Sequence, residues 1–163
     1  MCIRDSYNAG SSVIDLNGYG LSDNINAPYK WTFPSVSINA GERLVIFASG
    51  RNITRPEPGN LLHTNFKISR RGESVLLTDA LGYIADQYDL GELPPDYSTG
   101  RLPDGSSNWV IFENPTPLSA NGGPLFNSFT DTLTCSHEAG FYPGEISVTL
   151  SSVSYTHLTL PTN

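Results

Sequence analysis

The stretch Trp31–Gly50, WTFPSVSINAGERLVIFASG, decides the fold. Trp31-Thr32-Phe33 alternates bulky and polar residues and stops at Pro34. Asn39-Ala40-Gly41 is a turn signal. Leu44-Val45-Ile46-Phe47-Ala48 is a continuous apolar run, too short for a helix and rich in β-formers. Such a run predicts a central strand buried on both faces. The rest of the chain reads as further strands laid against it.

Outward from this stretch the pattern repeats. Upstream, Val13-Ile14-Asp15-Leu16 predicts a short strand ending at the turn dipeptide Asn17-Gly18. Tyr19-Gly20-Leu21 follows, then the polar loop 22–26. Downstream, Arg51 to Asn60 reads as a loop and Leu61 to Ile68 as a strand. Arg70-Arg71-Gly72 is a turn, Ser74 to Thr78 a strand, Asp79 to Gly82 a turn, and Tyr83 to Leu90 another strand. Leu93-Pro94-Pro95 blocks regular pairing. Tyr97 to Arg101 is a short extended piece, and Asp104-Gly105 turns the chain into Trp109-Val110-Ile111-Phe112. Short strands at this spacing are the mark of a β-sandwich. Pro115-Thr116-Pro117 and Asn121-Gly122-Gly123-Pro124 have linker composition. A second unit is expected to begin near Phe129, with Ile146-Ser147-Val148-Thr149-Leu150 as a strand.

Composition narrows the function classes. Charged residues make up 15%, while there are 15 glycines and 12 prolines, which suits a turn-rich all-β protein in the 163-residue chain. The net charge of −7 argues against a nucleic-acid surface and an anionic membrane surface, since both are bound through Lys and Arg. No run approaches the roughly 18 to 20 apolar residues of a membrane-spanning helix.

The two ends carry a separate signal. Met1-Cys2-Ile3-Arg4-Asp5 can be written atg tgt ata aga gac. Its reverse complement, gtc tct tat aca cat, encodes Val-Ser-Tyr-Thr-His, the sequence at Val153 to His157. The segment resembles a transposon-end adapter of short-read sequencing libraries, and Leu158 to Thr162 resembles read-through into it. Residues 1–6 and 153–163 are therefore expected to be adapter-derived rather than part of the natural sequence. The remainder has one cysteine, Cys135, which has no partner for an internal disulfide. It also leaves Tyr7-Asn8-Ala9-Gly10 as the tail of a strand whose body is lost.

The run Tyr7-Asn8 with Val13 to Asp23 resembles the opening half of the bacterial lamin-tail domain. Trp31 to Pro34, Ile38 to Glu42 and Leu44 to Gly50 continue the likeness. His63 to Ile68, Gly72 to Leu77, Gly100 to Gly105, Trp109, Pro115 to Pro117 and Asn121 complete it. The resemblance covers residues 7–121 and implies an immunoglobulin-like β-sandwich. Family members begin with one strand before the present start and a second ending in a WIELYN-type sequence, of which Tyr7-Asn8 remains. The sandwich is thus expected to be incomplete, with a strand edge lacking its partner and a short extended C-terminal tail. Ser136 to Tyr142 with the Ile146 strand resembles the start of a chitobiase-type C-terminal β-domain. The expected organisation is a sandwich over 7–121, a linker over 122–135, and the start of a second β-domain over 136–152. Nothing resembles the coiled coil or prenylated tail of nuclear lamins.

His137-Glu138 has the first two residues of a zinc-protease motif, but the second His belongs four residues on, where Phe141 stands. Asp23, Asn24 and Asn26 offer oxygen ligands without the spacing of a calcium loop, and read as a solvated Asx turn. Asp86, Asp89, Glu92 and Asp96 include candidate paired carboxylates for glycoside hydrolysis, but strand alternation scatters them over two faces. Ser136 beside His137 makes no triad, because adjacent residues seldom point at one another. Arg70-Arg71 reads as a solvated hairpin tip, and Asn52-Ile53-Thr54 is a glycosylation sequon without weight in a bacterial chain. Tyr29, Tyr83, Tyr88, Tyr97 and Trp109 could stack on sugars, against core and cross-strand packing as the simpler role.

The sequence therefore leads to no catalytic, cofactor or metal residues. The expected function is a non-enzymatic structural or interaction module of a larger exported or cell-surface bacterial protein, with a protein or polysaccharide partner, no nucleic acid and no membrane insertion. The alternative is a carbohydrate-binding accessory module of an extracellular hydrolase. The resemblance supplies the exported setting.

Overall fold

The computed structural model describes residues 2–55, 61–127 and 133–152, and these form strands, turns and loops without a helix. The chain divides into two units, Met1–Leu125 and Phe126–Asn163. Of the expected features, part of the loop at 51–60, the start of the second unit near Phe129 and the tail 153–163 lie outside the described residues.

The first unit is an all-β sandwich. One layer is a four-stranded sheet in the order β4 (Trp31–Thr32), β3 (Gly20–Ser22), β8 (Glu73–Thr78), β9 (Ile84–Leu90), every pair antiparallel. The second carries β1 (Cys2–Tyr7), β6 (Arg43–Ala48) and β7 (Leu62–His63) in the order β1-β6-β7. Leu21, Trp31 and Val75 from the first sheet meet Ile46 and Leu62 from the second, with Leu16, Phe33, Ile38 and Phe66 filling the same core. Trp31 and Phe33 pack edge-to-face with centroids 4.9 Å apart, the arrangement ring quadrupoles favour. A short clasp of β2 (Ile14–Asp15) on β5 (Ser37–Ile38) closes one end. The hairpin of β10 (Ser98–Arg101) and β11 (Trp109–Phe112) completes the unit, with Val110 and Phe112 buried.

The apolar run at 44–48 is the central strand, as its composition predicts. Val45 and Ile46 are neighbours and so face opposite sides of the sheet; both are buried, Ile46 completely. Turn chemistry holds as well. Gly18, Gly72, Gly82 and Gly105 sit at positive φ in the turns read from the sequence. Gly105 also abuts Ala9, so an added Cβ there would lie 2.7 Å from the Ala9 Cβ.

Three expectations are corrected. The strand ending at Tyr7 is not without a body: Cys2–Tyr7 pairs with β6 along its whole length, from Cys2↔Ala48 to Tyr7↔Arg43. Backbone pairing needs only an extended segment with free N–H and C=O groups, and residues 2–6 supply it. The strand expected over 61–68 shrinks to Leu62–His63, and it runs parallel to β6. Beyond His63 the Thr64 hydroxyl donates to the Phe66 carbonyl at 2.6 Å, a local bond that bends the chain and tucks Phe66 into the core. In the second unit, β14 is Leu150–Ser152 rather than 146–150, paired with β13 (Leu133–Cys135). Ile146, Val148 and Leu150 are all substantially exposed, so their alternation has no opposing layer to bury it.

Asn8, beside the β1 terminus, is buried and fully used. Its amide donates to the Ile38 and Ser12 carbonyls at 2.9 and 2.8 Å and accepts from the Gly10 N–H at 2.9 Å. One side chain thus ties three backbone segments without leaving an orphaned polar atom.

Candidate functional site

The densest group of polar and aromatic side chains lies where the β10–β11 hairpin meets β9. Strand alternation puts Asp86 and Tyr88 on one face of β9. Tyr88 stacks on Trp109 with centroids 3.6 Å apart and planes 14° from parallel. The Arg101 guanidinium lies 4.7 Å from the centre of the Trp109 ring and donates to Asp86 Oδ1 at 2.6 Å and to the Ser106 carbonyl at 2.6 Å. The Tyr88 hydroxyl lies 3.2 Å from Thr99 Oγ1. The faces of Tyr88 and Trp109 are therefore turned to each other and to a cation, the packing role rather than an open sugar platform. Tyr83 is 71% exposed and Tyr29 40%, with the Tyr29 hydroxyl donating to the Asp79 carbonyl at 2.5 Å.

The carboxylates at 86–96 scatter as alternation requires. Asp86 turns to Arg101, while Asp89 accepts from the Ser74 hydroxyl at 2.5 Å on exposed surface. In the loop 22–26, Lys30 Nζ donates to both Asp23 oxygens at 2.6 and 2.8 Å, and Asn24 Oδ1 accepts the Asn26 N–H at 2.9 Å. The Asn24–Asn26 bond is that of an Asx turn, and the Asp23 carboxylate is held in an ion pair with Lys30. Among the described residues no three His, Cys, Asp or Glu side chains gather as metal ligands. The sequon residue Asn52 is exposed at φ 55°. The Arg70-Arg71 turn is exposed, and its backbone is held by bonds to Ser69 and Leu93.

Ser136 and His137 depart from expectation. The adjacent side chains do meet, Ser136 Oγ lying 2.9 Å from His137 Nδ1. The hydroxyl also accepts the Thr149 N–H at 2.9 Å. The pair sits at the end of the β13–β14 ladder, where the Ser136 N–H donates to the Thr149 carbonyl. His137 also meets the Tyr142 ring edge-on at 5.7 Å, and the Tyr142 hydroxyl donates to the Glu138 carbonyl.

Two constellations escape sequence reasoning. Ser49 Oγ lies 2.8 Å from His63 Nδ1, with Phe47 stacked on the imidazole at 5.0 Å. This pair bridges β6 and β7, and only their parallel register, Phe47↔His63, brings it together. The second centres on Asp104. Its carboxylate pairs with Arg43 and accepts the Asn121 N–H, while the Asn121 amide donates to the Arg101 carbonyl at 2.8 Å. Arg43 in turn lies over the Tyr7 ring at 4.5 Å. One carboxylate thus joins the central strand, the β10–β11 turn and the segment at Asn121.

A family model described as Lamin Tail Domain matches residues 7–92, more than half of the chain. The chain belongs to the lamin tail domain family. The matched lamin tail domain spans the clasp, the core cluster and the β8–β9 hairpin, and stops two residues beyond β9. Residues 100–121, expected from the resemblance to belong to the same domain, fall beyond the match yet lie within the same compact unit. No curated protein and no solved structure matches the chain.

Proposed function

We propose that this lamin tail domain is a non-catalytic structural or interaction module of a larger exported or cell-surface bacterial protein. The observation that carries the reading is the Asp86–Arg101–Trp109–Tyr88 stack. The groups most suited to chemistry there are used to hold β9 against the β10–β11 hairpin. Ser49–His63 ties the end of β6 to β7, and Asp104–Arg43 ties the β10–β11 turn to β6. In the same reading, residues 1–6 and 153–163 are adapter-derived, which the start of the family match at residue 7 supports. Residues 136–152 then open a chitobiase-type β-domain. Sequencing across both ends from source DNA tests this. An export signal upstream and further β-domain sequence downstream are expected. A complete cytosolic reading frame ending at residues 1 and 163 overturns it.

Carbohydrate binding is the second reading, favoured by the exposed rings of Tyr83 and Tyr29 near the β8–β9 turn. Affinity electrophoresis through gels containing soluble polysaccharides separates the two. Retardation lost in Tyr83→Ala supports sugar binding, and unchanged migration in every gel rejects it.

A further inference from the structure

The chain holds two Asn-Gly pairs, Asn17-Gly18 and Asn121-Gly122. In such a pair the Gly nitrogen can attack the Asn side-chain carbonyl, because glycine has no Cβ to hinder the approach. The fold treats the two pairs differently. Asn17-Gly18 is the centre of a turn closed by the Tyr19 N–H, which donates to the Leu16 carbonyl at 3.0 Å. Gly18 has φ 80° while the φ of Asn17 is not positive, which makes this a type II turn. Asn17 is exposed, and among the described residues neither its side-chain amide nor the Gly18 N–H has a hydrogen-bond partner. Asn121 is held instead. Its Nδ2 donates to the Arg101 carbonyl at 2.8 Å, its Oδ1 accepts the Thr116 hydroxyl at 3.4 Å, and its N–H donates to Asp104. Its amide also packs against Gly100, where an added Cβ would lie 2.8 Å from Nδ2.

We propose that Asn17 is a site of spontaneous deamidation and backbone isomerisation that loosens the β2–β5 clasp as the protein ages, and that the fold protects Asn121 from the same reaction. Water is the one co-reactant. The Gly18 nitrogen gives its proton to solvent and bonds to Asn17 Cγ, the Cγ–Nδ2 bond breaks, and ammonia leaves. Water then opens the cyclic imide at either carbonyl, giving aspartate or isoaspartate. The net change is side-chain amide plus water to carboxylate plus ammonium. Isoaspartate routes the main chain through Cγ and so lengthens it by one carbon. Both flanks of the turn are fixed to one neighbouring segment. The N–H of buried Leu16 donates to the Val36 carbonyl at 2.9 Å, and the Tyr19 carbonyl accepts the Phe33 N–H at 2.9 Å. The extra carbon must therefore strain these bonds or displace Leu16 from the core. At Asn121 the attack must first break the bonds to Arg101 and Thr116, which slows it by about 30-fold.

Peptide mapping by mass spectrometry tests the proposal on the full chain, aged in mildly alkaline reducing buffer at physiological temperature. In the folded chain Asn17 is expected to convert to isoaspartate and aspartate about 30-fold faster than Asn121. In urea, with both side chains released, the two should convert at similar rates. Equal rates in the folded chain, or faster conversion at Asn121, overturn the proposal. So does a folded-state ratio that persists in urea, because local sequence rather than the fold would then set it. The effect on the clasp is read from urea midpoints. Aged wild type should unfold at lower urea than fresh protein. Asn17→Asp, which adds the charge without the extra carbon, should keep the fresh midpoint, and Asn17→Gln should keep its own midpoint through ageing. An aged wild type with the fresh midpoint refutes the loosening, and so does an equal fall in fresh Asn17→Asp.

Discussion

Replacing Ile46 by alanine probes the centre of the sandwich. Ile46 is fully buried on β6 and belongs to the cluster that joins the two layers. The substitution removes three carbons, worth about 2.4 kcal/mol of transfer free energy at ~0.8 kcal/mol each. Collapse around the site is limited, because β6 is fixed by β1 on one side and β7 on the other. A residual cavity then raises the loss toward about 4 kcal/mol. Ile46→Val, which removes one carbon, should lose about 1 kcal/mol. The assay is urea denaturation followed by tryptophan fluorescence, since Trp31 shares this core. Both variants should shift the midpoint at an unchanged slope. A loss below about 1 kcal/mol for Ile46→Ala would place the core elsewhere and refute the reasoning. A loss for Ile46→Val equal to that of the alanine variant would show that the site tolerates no cavity model at all.

Asp104→Ala should cost about 1–3 kcal/mol by leaving Arg43 and the Asn121 N–H without their acceptor, read from the denaturation midpoint. Gly105→Ala should cost more than about 1 kcal/mol, since it combines positive φ with the clash at Ala9; thermal melting measures it. Tyr88→Ala should uncover one face of Trp109 and shift tryptophan emission to the red, whereas unchanged emission would dissolve the stack. Deleting residues 1–6 should lower the melting temperature of the first unit sharply, because it strips the β6 edge of its antiparallel partner.

What could be read from the residues was whatever local chemistry decides. The apolar run at 44–48, the Asp79–Gly82 turn between two alternating segments and the Asp104-Gly105 reversal carry their structure in adjacent residues. What could not be read depends on register between distant segments. Leu62–His63 is too short for its alternation to count, and nothing local shows that it runs parallel to β6. The Ser49–His63 pair follows from that register and was hidden with it. Asp104 and Arg43 stand far apart in the chain; alone, Asp104 looks like an ordinary turn residue and Arg43 like an ordinary polar residue at a strand end. The Ile146 alternation misled because a two-sided pattern implies an opposing layer that its short unit does not provide.

The pairing of β1 with β6 has a consequence for how this domain could be re-engineered. The register from Cys2 to Tyr7 is one of main-chain hydrogen bonds, so the groove beside β6 reads chain direction and length before it reads identity. A guest segment of different sequence, joined ahead of Asn8, should lie down in the same place. The side-chain anchor at the junction is Asn8, whose bonds to Ser12 and Ile38 fix where the guest must enter. The domain can therefore be treated as a receptacle for short foreign strands, with Asn8 as its gatepost.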